Sequence, residues 1–149
     1  MLSWAIMLGI MSMPVVLNYL LHVALHRNYT PSLRSLVIPI MSGILYIVAR
    51  MLPEPHITNE SITLAQHFVG GGFVSTLYFV YFIRELHIKI HPAWYFVLLY
   101  PFVSMMGVTN ELLEFTSTKL GVYAVDGTDV WWDLFANTLG AYALLTVIL

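Results

Sequence analysis

Carboxylates and amides stand in two short runs of the C-terminal third of the chain. NELLEF carries Glu111 and Glu114 at i and i+3, and DGTDVWWDLFANTLGA carries Asp126, Asp129, Asp133 and Asn137. On a helix, Asp129, Asp133 and Asn137 fall at i, i+4 and i+8, one above another on a single face. Gly140 and Ala141 extend that side with small residues, which admit a second backbone at close range. Upstream, His67 precedes Gly70, Gly71 and Gly72, and Arg50 precedes a Pro-Glu-Pro break. Oxygen-rich side chains of this kind suit a hard divalent cation or a shared proton, and they hydrogen-bond a polar headgroup equally well.

These residues must be carried by very apolar elements. Of 149 residues, 59% are hydrophobic and 9% charged, with a mean hydropathy of +0.80, well outside the usual composition of soluble domains. The fold class this implies is an all-α integral membrane protein, a single domain bundling about five transmembrane helices, with the lipid bilayer as its first partner. The expected spans cover residues 1–25, 35–52, 64–83, 93–115 and 130–149. The first lacks the basic start of a cleaved leader and reads as a retained span. The second is short and carries Pro39 and Gly43. A net charge of −2 offers no basic patch for nucleic acid, and the absence of cysteine rules out disulfides and thiolate metal sites.

Arg27 and Arg34 lie in the first loop, and Arg84 and Lys89 in the third. Only Arg50 and Lys119 flank the second and fourth. This bias places the first and third loops in the cytoplasm, the N-terminus outside and the C-terminus inside. Arg50, His67, Glu111, Glu114, Asp129 and Asp133 then sit at span ends facing one side. Asp133 lies one turn, about 6 Å, deeper than Asp129. Intramembrane charges are expensive and usually mark function. The expectation is therefore one outer-face pocket of Arg50, His67, Glu111, Glu114, Asp129, Asp133 and Asn137. Its four carboxylates outweigh Arg50 and His67, so it would be net acidic. A divalent metal held by Glu111, Glu114, Asp133 and His67 is one way to satisfy it.

Plain structural roles stand beside these. Arg50 can snorkel to the interface, His67 can bond a backbone carbonyl, Asn137 can tie helices together, and Trp131 and Trp132 suit an interfacial belt. His22 with His26, and His87 with His91, are further pairs four apart. HIKIHP reads as an extended surface segment rather than a zinc site.

The run DVWWDLFANTLGA, taken with His67, its glycines and NELLEF, resembles the VanZ-like membrane protein superfamily and the related YjdF-type bacterial inner-membrane proteins. In that resemblance Glu111 and Glu114 match an acidic motif, and Asp133, Asn137 and Gly140 match an Asp-x-x-x-Asn-x-x-Gly motif on the next helix. It covers residues 66–141. TSTKLGVYAVDGTD replaces a Pro-Gly-Arg-type element, which favours the YjdF-type branch. The resemblance implies a multi-pass protein of the bacterial plasma membrane. Two functions follow as expectations. One is binding or transport of a cation, proton or lipid headgroup. The alternative is a metal-dependent membrane enzyme acting on a lipid-linked or cell-envelope substrate. No nucleophile elbow, HExxH or phosphate-binding loop is present.

Overall fold

The computed structural model describes residues 2–25, 36–54, 63–121 and 130–149, and all regular structure among them is helical. Asp129, His26 and the Asp126 turn lie outside the described residues. We number the helices α1 (Leu2–Ala24), α2 (Val37–Ala49), α3 (residues 64–85), α4 (Pro92–Lys119) and α5 (Val130–Ile148). Among the described residues one helix, α4, is long and apolar enough to cross a membrane.

Local sequence explains where the helices begin and end. In α2, Pro39 falls in the first turn, where its missing N–H costs no intrahelical bond, so it starts the helix instead of kinking it. The helix ends at Ala49 with Arg50 as its cap. At 13 residues it is shorter than the expected span, about 20 Å at 1.5 Å per residue. At the end of α3, His87 takes the left-handed conformation at φ 53°. Ile88 N–H bonds to Ile83 O at 3.0 Å, and His87 N–H to Arg84 O at 3.1 Å. This is a Schellman closure. His91 then caps α4, its Nδ1 accepting from the Ala93 N–H at 3.3 Å, just before Pro92 and Ala93 open the helix. The segment between these two histidines is a cap-to-cap connection, and each has a backbone role. α4 continues to Lys119, beyond the expected end at residue 115, until Gly121 turns the chain at φ 67°.

α3 is not a uniform α-helix. Leu64–Gln66 leads into a π-helical stretch, His67–Phe73, and then into α-helix Val74–Glu85. Helical dihedrals at both junctions make this one continuous rod. The wide turn packs on α5 more extensively than any other pair of elements packs. A side chain at Gly72 would come within 2.6 Å of the Asn137 carbonyl and 2.8 Å of Gly140 Cα. One at Gly140 would strike the Phe68 carbonyl. The Thr76 hydroxyl is shared between Gly72 O at 3.1 Å and Ala141 O at 3.0 Å, which fastens the crossing. Small residues let these backbones touch.

The lower core is ordinary by comparison. Phe79, Ile83, Leu99, Val103, Ala141 and Leu145 pack together, and Tyr142 donates to the Phe96 carbonyl at 2.8 Å. The surface inverts the usual pattern. Leu17, Leu20, Ile40, Ile44, Val97, Leu112, Leu113, Phe115, Phe135 and Leu139 are exposed, whereas Asn18, His22, Ser42, Ser75, Thr76, Asp133 and Asn137 are buried.

Candidate functional site

The site is built where α2 ends, α3 begins and α5 makes its first two turns. The start of α3 is held by a distant residue. Glu54, in the break after α2, accepts the Ala65 N–H at 2.8 Å and the Gln66 N–H at 3.0 Å, one carboxylate oxygen each. An anion at a helix N-terminus satisfies orphan donors and opposes the helix dipole. Glu54 thereby fixes the turn that carries Gln66 and His67.

Asp133 enters from α5 and is 3% exposed. Its Oδ2 lies 3.3 Å from His67 Nε2, and its Oδ1 accepts from the Thr63 hydroxyl at 3.2 Å. One buried carboxylate thus ties the entry of α3 to the entry of α5 and orients the imidazole. One turn along α5, Asn137 is 4% exposed and sits between two glycines. Any side chain at Gly71 would collide with its Oδ1, and one at Gly107 would meet its Nδ2 at 3.4 Å. Its Oδ1 is buried with no hydrogen-bond partner among the described residues. A buried amide acceptor of this kind calls for explanation.

Beside this junction lies an open cavity of about 180 Å³. Arg50, Gln66, His67, Ser75, Asn110, Glu114 and Asn137 provide its polar lining, and Tyr46, Tyr78, Met13 and Met106 supply apolar wall. Asn110 Nδ2 donates to Glu114 Oε1 at 2.9 Å, which holds the carboxylate in place.

The structure therefore brings four of the sequence-derived site residues to one cavity, namely Arg50, His67, Glu114 and Asn137. Asp133 reaches it only through His67, and Asp129 lies outside the described residues. Glu111 is half-buried on α4 and is not part of the lining. The expected metal set of Glu111, Glu114, Asp133 and His67 does not assemble. Among the described residues no three His, Asp or Glu side chains gather as ligands. The physical reasons are local. Asp133 and His67 face each other, Glu114 is bonded by Asn110, and three residues of helix rotate Glu111 about 60° away from Glu114. Among the described residues, one guanidinium, Arg50, and one carboxylate, Glu114, line the cavity. The His22 half of the His22/His26 pair is buried at 6% exposure against the bundle interior.

Sequence reasoning missed Glu54, Thr63, Gln66, Asn110 and Tyr78. Only Asn110 had a local signal, its i, i+4 spacing to Glu114.

No protein-family model, curated protein or solved structure matches the chain.

Proposed function

We propose that the chain is a multi-pass membrane protein, of the VanZ-like and YjdF-type kind its motifs resemble, that holds a zwitterionic lipid headgroup in the cavity at the outer end of its bundle. The observation that carries the membrane part is the inverted surface. Helices that are apolar on their outward faces and polar within match a hydrocarbon surround. Charged and amide side chains kept inside such a bundle mark a functional site. The lining supports the choice of ligand. Arg50 and Glu114 offer one positive and one negative partner, and Gln66, Asn110 and Asn137 add amides able to donate and accept. A bare divalent cation would find a single carboxylate there and a competing guanidinium. A headgroup with a phosphate near Arg50 and an ammonium near Glu114 satisfies both.

The test is thermal unfolding in nanodiscs of phosphatidylethanolamine against phosphatidylglycerol. Stabilisation by phosphatidylethanolamine that disappears in both Arg50→Gln and Glu114→Gln supports the reading. Equal unfolding in both lipids, or stabilisation that survives both substitutions, rejects it.

A second reading, an enzyme acting on such a headgroup, rests on the His67–Asp133 pair. A carboxylate-oriented imidazole beside a ligand cavity has the arrangement of a general base. Conversion of a lipid-linked substrate by the reconstituted protein that stops in His67→Gln, with headgroup binding intact, separates this reading from simple binding.

A further inference from the structure

A second polar feature leaves the cavity and continues down the bundle. Tyr78 lines the cavity wall and is almost fully buried. It is hydrogen-bonded to Ser42 of α2. The Ser42 hydroxyl also donates to Ile38 O at 2.9 Å. One turn further along α3, the Tyr81 hydroxyl accepts from Asn18 Nδ2 of α1 at 3.5 Å, and both residues are fully buried.

The two helices run in the same direction. Met13 shares the cavity wall with Tyr78, and Asn18 meets Tyr81, so residue numbers rise together along α1 and α3. The next turn of each helix therefore brings His22 and Glu85 to one level, beside Arg84 in the last turn of α3 and the connection that carries Lys89. His22 is buried on the same face as Asn18, four residues on. Asn18 Oδ1 is buried with no hydrogen-bond partner among the described residues. An acceptor left without a protein donor is what a hydrated file contains, and a dry core avoids it.

We propose that Ser42, Tyr78, Tyr81, Asn18 and His22 form a proton path from the cavity to the opposite end of the bundle, with Glu85 at its exit. The proposal rests on the membrane reading above. From Tyr78 to Glu85 the file covers about 10 Å of helix. The cavity itself reaches along α3 from His67 to Tyr78, so cavity and file together cover most of a hydrocarbon core of about 30 Å. Tyrosine and serine hydroxyls each both accept and donate. His22 takes up a proton on one ring nitrogen and releases it from the other. Asn18 orders the file by donating to Tyr81 and offering its own oxygen. Interhelical hydrogen bonds that served only as ties would need neither a buried imidazole at His22 nor an Asn18 oxygen without a partner among the described residues.

The test reconstitutes the full chain in phosphatidylethanolamine/phosphatidylglycerol vesicles loaded with a pH-sensitive dye. A potassium diffusion potential is imposed, and alkaline-resistant flotation is measured on the same vesicles. The proposal expects flux above that of protein-free vesicles. It also expects loss to the empty-vesicle level in His22→Gln, which keeps a hydrogen-bonding side chain of similar reach without a titratable ring, and in Tyr81→Phe. Protein that floats in vesicles as tight as empty ones overturns the path and leaves the membrane reading standing. Unchanged flux in both folded variants also overturns it. Protein that does not float overturns the membrane reading and the path with it.

Discussion

Asn137 is the side chain on which three helices close. It lies against Gly71 of α3 and Gly107 of α4 while its backbone carbonyl faces Gly72. Its neighbours cannot grow. Gly71→Leu and Gly140→Leu should each lower the unfolding temperature in detergent far more than Leu139→Ala, since Leu139 is exposed. Overpacking costs about 1–3 kcal/mol where a core can yield, and here the atoms in the way include backbone. Equal tolerance of all three substitutions would contradict the close crossing. Asp133 makes a second demand. Removing His67 takes away the imidazole that stands 3.3 Å from a buried carboxylate. His67→Ala should therefore cost about 3–5 kcal/mol, and adding Asp133→Asn should recover much of that loss. A double variant no more stable than His67→Ala would refute the pairing. At this scale the glycines were legible in the sequence, because small residues beside a polar stripe have few other uses in an apolar helix. The difference between Glu111 and Glu114 was not. Spacing i, i+3 treats them alike, and only the rotation of α4 about its axis decides which one meets the cavity.

At the scale of elements, helix existence follows from long apolar runs, and helix ends follow from Pro39, Gly121 and the Pro-Glu-Pro break. Which residue holds an end was harder to see. Glu54 caps α3 from across a break, and no local motif predicts a cap supplied from ten or more residues away. Glu54→Ala should cost about 1–2 kcal/mol, in the range of a lost helix cap. It should also weaken the proposed headgroup binding, because Gln66 and His67 ride on that turn. An unaltered unfolding temperature would show that the cap contributes nothing. The π-helical stretch was equally invisible. Gly70, Gly71 and Gly72 signalled close contact, yet contact alone does not say that the turn must widen. The widened stretch is the part of α3 that meets Gly140 and Asn137, and that pairing is a tertiary fact.

For the whole molecule, the all-helical fold was legible in composition, and so was the gathering of polar groups at one end. Counting turns from the span ends put Arg50, His67, Glu111, Glu114, Asp129 and Asp133 on one side, with Asn137 a turn deeper. Depth within a bundle was readable, but rotation was not, because α4 and α5 are apolar nearly all round. On the proposed membrane reading, the Lys and Arg distribution predicts a cytoplasmic C-terminus, so a reporter fused after Leu149 should behave as cytoplasmic. A reporter active only outside would reverse the orientation. The most direct measurement of the inverted architecture uses the absence of cysteine from the sequence. Single substitutions Arg50→Cys, Glu114→Cys, Leu113→Cys and Phe135→Cys are reconstituted in sealed vesicles and treated with a membrane-impermeant thiol reagent. A membrane protein with an outer polar cavity labels at Arg50→Cys and Glu114→Cys while Leu113→Cys and Phe135→Cys stay protected by lipid until detergent is added. Labelling of Leu113→Cys and Phe135→Cys in intact vesicles, at the rate seen for the cavity positions, would mean that water and not lipid meets the apolar faces.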